Sequence, residues 1–147
     1  MIEDVGRFCT RLVAEMPDAV IAADAAGVIR FWNAGASRIF GYPEAEALGQ
    51  SLDLIIPDGP RARHWEGYRR TMATGVTRYG AADLLSVPAL CKDGRRISVA
   101  FTIVPLRAAD GTMEGIAAVL RDVTAAFEET RALRRELAAL RAAGQPG

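Results

Sequence analysis

His64 is the only histidine among 147 residues, and it sits in an aromatic neighbourhood, Arg63-His-Trp-Glu-Gly-Tyr68. An imidazole can move protons near neutral pH, or, when neutral, donate a nitrogen lone pair to a metal such as heme iron. If this stretch is helical, at about 100° per residue Trp65, Tyr68 and Met72 form one stripe and His64 borders it. Acid–base chemistry would need partners, and Asp53 and Asp58 are the nearby carboxylates, both in segments that read as solvated loops. A histidine beside an aromatic stripe is also a common packing arrangement, so ligand and core residue both remain open from these residues alone. Cys9 and Cys91 have no metal-site spacing and are too few for a disulfide framework, which reads as two reduced thiols. There is no Ser/His/Asp order with a nucleophile elbow, no phosphate loop and no cluster of metal ligands, so the chain is expected not to be an enzyme.

Composition sets the frame for that histidine. Half of the residues are hydrophobic, enough for one domain with a true core. Lys and Arg number 18 and so do Asp and Glu, a balance that argues against a nucleic-acid or membrane-surface binder. All the basic residues but Lys92 are arginine. The opening MIEDVGRFCT carries acids and no long apolar run, so no signal peptide is expected. No stretch reaches the ~18 apolar residues of a membrane span, and a cytoplasmic location follows as the expectation.

The elements that would position His64 can be read in order. Ile2, Val5, Cys9, Leu12 and Met16 step by 3 and 4, the seam of an amphipathic helix that Pro17 stops. Ala19–Ala23 and Val28–Trp32 read as two strands joined by Asp24-Ala-Ala-Gly27. Asn33 can cap a short helix through Phe40, Pro43 opens another helical turn, and Ser51–Ile56 is a further short piece. A longer helix is predicted from about Arg61 to Ala73, ending at Gly75. Three strands follow, about Ala82–Cys91, Arg96–Leu106 and Gly115–Asp122, with turns at Lys92-Asp-Gly-Arg95 and Asp110-Gly111. In the middle one Ile97, Val99, Phe101 and Ile103 alternate with smaller or polar residues, which turns one face to a core. A last helix covers about Thr124–Ala142, with Val123, Ala126, Thr130, Leu133, Leu137 and Leu140 on one seam. The economical packing is α+β, a five-stranded antiparallel sheet with helices on one face. Residues 1–16 read as an N-terminal dimerisation helix, 17–124 as the domain, and 125–147 as a C-terminal helix and tail.

The order and its motifs resemble the PAS family of sensory domains. The matching features are Met16-Pro-Asp-Ala-Val-Ile with Asp24-Ala-Ala-Gly-Val-Ile, Asn33 to Phe40-Gly-Tyr, Leu48-Gly, Ile55-Ile-Pro57, Lys92-Asp-Gly94 and Arg121-Asp-Val-Thr124. The resemblance covers about residues 14 to 124, and it is the order and spacing of the motifs that make it specific. It implies a curved sheet whose concave face encloses a small apolar cavity under the helices. It also implies a signalling helix that leaves the last strand at Asp122-Val-Thr124, where Asp122 and Thr124 can cap the helix and fix its angle.

Within the family, the FixL-type oxygen sensors carry a heme-ligating histidine on the helix that covers the cavity. In some members it lies eleven residues before a Thr-Gly-like end, and His64 and Gly75 have that separation. The resemblance therefore implies heme b held by His64, with Arg70 matching a basic residue that meets a heme propionate. Trp65, Tyr68, Met72, Leu84, Leu85, Val99, Phe101 and Ile103 would line the pocket. The arginine that steadies bound oxygen in those sensors aligns with Leu84 or Leu85, so O2 would be held less selectively and CO or NO become candidate ligands. Flavin is not expected, because Pro57-Asp-Gly-Pro60 stands where the family's light sensors carry a cysteine-containing run. The expected function is a heme-based gas sensor; the alternative is a cofactor-free or small-molecule-binding PAS module for dimerisation. Both imply a homodimer and a downstream signalling partner.

Overall fold

The computed structural model describes residues 2–77 and 85–145. A helix α1 (Val5–Glu15) leads into strands β1 (Ala19–Asp24) and β2 (Ile29–Trp32). Three helices follow, α2 (Ala34–Phe40), α3 (Glu44–Ala47) and, after a 3₁₀ turn at Leu52–Ile55, α4 (Arg61–Thr74). Strands β3 (Leu85–Leu90), β4 (Arg96–Arg107) and β5 (Met113–Asp122) come next, and α5 (Thr124–Ala143) closes the order. The strands form one five-stranded antiparallel sheet, as the sequence predicts, and the structure gives their order as β2-β1-β5-β4-β3. The N-terminal part of the expected third strand lies outside the described residues, and so does Leu84.

Period-two alternation assigns the two faces. Ala19, Ile21 and Ala23 of β1 are buried, as are Ile29 and Trp32 of β2, Ile97 and Val99 of β4 and Leu120 of β5. They close on Ala36, Ile39 and Phe40 of α2, Ala47 of α3 and Ile55 to make the core. Trp32 tilts against Phe40, and its indole N–H reaches the Tyr42 carbonyl at 3.0 Å, so the largest core side chain is polar-satisfied as well as buried. The opposite face presents Phe31, Val20, Val119, Thr102 and Val104 in register across four strands, and Val104 is 52% exposed.

Two junctions fix the end helices. Asn33 caps α2 by accepting the Ala36 N–H at 2.9 Å, as predicted, and its Oδ1 also accepts the Val20 N–H at 2.8 Å. Its amide donates to the carbonyls of Val13 and Asp18 at 2.9 and 3.0 Å, which ties the last turn of α1 to the sheet. At the other end the expected double cap takes a different form. The Asp122 carboxylate accepts the N–H and hydroxyl of Thr124 at 2.9 and 2.6 Å, while the Thr124 hydroxyl oxygen accepts the Ser98 N–H at 3.0 Å. The root of α5 is thus anchored sideways on β4, and its N-cap Val123 has no side-chain cap bond. Beyond that root every residue from Ala125 to Ala143 is exposed.

Candidate functional site

The site grows from α4. Pro60 precedes the helix and Gly75, in the left-handed conformation at φ +69°, ends it. Several contacts hold α4 down. Tyr68, 6% exposed, donates its hydroxyl to the backbone carbonyl of Asp24 at the end of β1. Trp65 donates its indole N–H to the Asp53 carboxylate at 2.7 Å, and its ring fills the space at Gly27 that a Cβ would need. Gly27 also has φ +79°, so its lack of a side chain serves both the turn and the indole. From the end of β4, Arg107 donates to the Gly75 carbonyl at the C-terminus of α4.

These contacts place α4 over one end of the sheet. There the register sets Ile103 opposite Ala118 and Pro105 opposite Ile116. All four are only partly buried, whereas Val99, four residues before Ile103, is 1% exposed within the packed core. The sheet therefore has a filled end, under α2, and a looser end, under α4.

His64 lies at the looser end. Its ring stands edge-on to Trp65 with centroids 4.8 Å apart and is tilted against Tyr68 at 5.9 Å. Its Nδ1 is buried and has no hydrogen-bond partner, the one such side-chain atom among the described residues. Burial pulls its pKa below the ordinary 6.5, against a weaker opposing pull from the Asp53 carboxylate, so the imidazole is held neutral. Burial, helped by the charge of Asp24, pushes the Tyr68 phenol up to about 12, which keeps it a donor.

The other residues singled out from the sequence fall in several places. Trp65, Tyr68 and His64 come together as one aromatic cluster. Met72 is half-buried on the same helix. Phe101 packs against the core beside Val99, and Ile103 belongs to the looser end. Leu85 pairs with Phe101 through its backbone, and Leu84 is outside the described residues. Arg70 is exposed and ion-paired to Glu66 at 3.1 Å, one turn back along α4. Cys9 is exposed and Cys91 is buried, both as free thiols. Sequence reasoning missed Gly27, Asp53 and Arg107 as partners of this helix; their only local signals were a turn glycine, a loop carboxylate and a strand-end arginine.

Heme b asks one axial ligand of the protein, and His64 fits that request: a neutral imidazole with a lone pair not engaged elsewhere, beside apolar walls. Among the described residues no three His, Cys, Asp or Glu side chains gather as a metal cluster.

A sheet in this order, with helices over one face and a helix leaving the last strand, defines a sensory domain of the PAS class. The family model described as "PAS fold" matches residues 13–127, and the chain belongs to that family. It is 35% identical over 119 residues to an uncharacterized protein of Azorhizobium caulinodans, covering 80% of this chain and 16% of that one. It is 41% identical over 49 residues to the sensor protein FixL of Bradyrhizobium diazoefficiens, covering 33% of this chain and 10% of that protein. The chain thus spans at most about a sixth of the length of these relatives. Among solved structures it resembles the PAS domain of a Colwellia psychrerythraea protein, with TM-score 0.71 and 21% identity, covering 82% of this chain and 98% of that one. No helix among the described residues is long and apolar enough to cross a membrane.

Proposed function

We propose that this chain is a heme-binding gas-sensing PAS domain that receives a signal at His64 and passes it on without performing catalysis. The observation that carries the proposal is the buried, unpartnered Nδ1 of a neutral His64 at the looser end of the sheet. A native interior rarely leaves such an atom without a partner, and an unmet polar atom in an aromatic cluster points to function. The short likeness to FixL agrees with it.

Most of these residues have a role in that reading. His64 would ligate through a ring nitrogen, with Trp65 and Tyr68 limiting its rotation. When bound, heme b supplies an iron that takes a diatomic gas, O2, CO or NO. Arg70 is exposed in an ion pair of small net worth and, six residues along α4, faces away from His64, so the proposed propionate contact has no support from its position. Met72, Ile103 and Phe101 would supply apolar surface. A shift of α4 would reach β1 through Tyr68 and Asp24, cross to β5 by direct pairing, and end at Asp122, which holds the root of α5. A downstream domain or protein would read α5, in the cytoplasm.

Titration of the purified protein with hemin tests the reading. One equivalent should produce a sharpened Soret band that saturates; a spectrum identical to free hemin would overturn it.

A second reading, a cofactor-free dimerisation module, draws on a different observation. Val5 and Leu12 of α1 are 66% and 51% exposed, and the outer sheet face carries Phe31 and Val104 in the open. Such surface is costly unless a partner covers it. This reading requires a dimer and no heme spectrum.

A further inference from the structure

His64 and Trp65 are adjacent on α4, and neighbours in a helix point about 100° apart, so the helix alone does not bring their side chains together. Their rings meet nonetheless, edge-on with centroids 4.8 Å apart. The contact is therefore set by what holds Trp65 from outside α4. The indole fills the space at Gly27 where a Cβ would stand, which fixes how deep the ring lies. Its N–H donates to the Asp53 carboxylate at 2.7 Å, which fixes how the ring is turned there. A hydrogen bond to an ionised acceptor is short and roughly twice as strong as one between neutral groups.

Asp53 is itself held from two sides. The Ser51 hydroxyl oxygen accepts its N–H at 3.1 Å, and the Arg61 guanidinium donates to its carbonyl at 3.2 Å. The same guanidinium donates to the Ile56 carbonyl at 3.0 Å and stands 3.7 Å from the Asp53 carboxylate. Arg61 thus clamps the 3₁₀ turn to the start of α4, and Asp53 reaches from that turn to Trp65, one helical turn on. Tyr68, tied to the Asp24 carbonyl, completes a triangle of rings, 5.9 Å from the imidazole and 5.4 Å from the indole. The two aromatic neighbours of His64 are anchored to different elements, one of them by Asp53.

We propose that Asp53 is a positioning residue for His64, holding the imidazole, through the Trp65 indole, in one orientation ready to ligate. A histidine side chain free to turn samples several rotamers, and a ligand bond selects one. A ring already held there loses less conformational freedom on binding. The purpose of this hold rests on the reading of His64 as the heme ligand, but the hold itself can be measured without heme.

His64 is the only histidine, so its imidazole C–H resonances in the apo protein at pH 8 report its orientation against the two aromatic rings. Asp53→Leu should move them toward the values of an exposed histidine. Asp53→Asn, which keeps an acceptor for the indole, should leave them near the original. Asp53→Ala carries the same test should the leucine variant fail to fold by circular dichroism. In a Trp65→Phe background, Asp53→Leu should move the resonances no further, because the route is already cut. With hemin, Asp53→Leu should raise the dissociation constant about tenfold, the usual loss when a group that orients a ligand is removed. Resonances that stay in place in Asp53→Leu, or that move equally in both backgrounds, would overturn the positioning role whether or not hemin binds. Displaced resonances with an unchanged hemin dissociation constant would overturn it too, because the held orientation would not be the one that ligates. Displaced resonances in a chain whose original form takes up no hemin would uphold the hold and refute His64 as the ligand.

Discussion

Asn33 and His64 are polar side chains set into the same helix–sheet interface, at opposite ends of it. Asn33 uses its amide fully: two N–H groups are accepted and two carbonyls are bonded, from three different elements. His64 leaves Nδ1 with nothing, although the surrounding rings keep water away. A satisfied buried amide fixes a single geometry, here the meeting of α1, β1 and α2, and is explained by that work alone. The His64 ring packs on Trp65 and Tyr68, but its unsatisfied nitrogen does no such work in the fold and is the feature the proposed ligand would explain. The packing agrees, since the Asn33 end is filled by Trp32, Phe40 and Val99, while at the His64 end Ile103, Pro105, Ile116 and Ala118 of the sheet are only half-buried.

Breaking the two ends should therefore give opposite results. The largest effect is expected from Asn33→Ala. It strands the N–H groups of Val20 and Ala36 and should cost about 3 kcal/mol in denaturant unfolding, while the protein that remains folded still binds hemin. Loosening of α1 should accompany it as faster amide exchange near Val13. A loss below about 0.5 kcal/mol would mean that Asn33 is not the hub described.

Tyr68→Phe comes next, because it removes one hydroxyl that holds α4 to β1; the expected cost is about 1 kcal/mol. Its pH signature is sharper than its size. The Tyr68 phenol is raised from 10.0 to about 12 in the fold, so its contribution is complete below pH 10 and is lost as pH climbs toward about 12. The phenylalanine variant should lose that part of the alkaline decline, and an identical decline would contradict the buried hydroxyl.

The smallest effect is the acid response of His64. Its pKa is lowered by folding, so the stability linked to it is present above about 6.5 and drains away as pH falls below that value. Replacing it by leucine should flatten this slope in the apo protein without lowering stability at pH 8.

Much of the filled end was legible in the sequence. Alternation in Ile97–Ile103, the turn glycines and the Asn33 cap are local signals, and they fixed the elements to within a few residues. The hub was not legible, because Val13, Asp18 and Val20 meet Asn33 only once the sheet has folded. At the looser end the aromatic stripe of α4 could be read by helical spacing, but Trp65 finds Asp53 and Gly27 across three elements. Asp122 and Thr124 were recognised as a junction; that Thr124 would turn its oxygen to the backbone of Ser98 depends on the neighbouring strand.

The proposed function turns on whether His64, and not its aromatic neighbours Trp65 and Tyr68, provides the heme ligand. The most direct measurement is the visible spectrum of His64→Leu beside the original protein, at equal folded concentration with one equivalent of hemin. The account predicts that the original shows the Soret band of histidine-ligated heme and that the leucine variant, at least as stable without heme, shows the spectrum of free or unligated hemin. Identical spectra from the two proteins would contradict it.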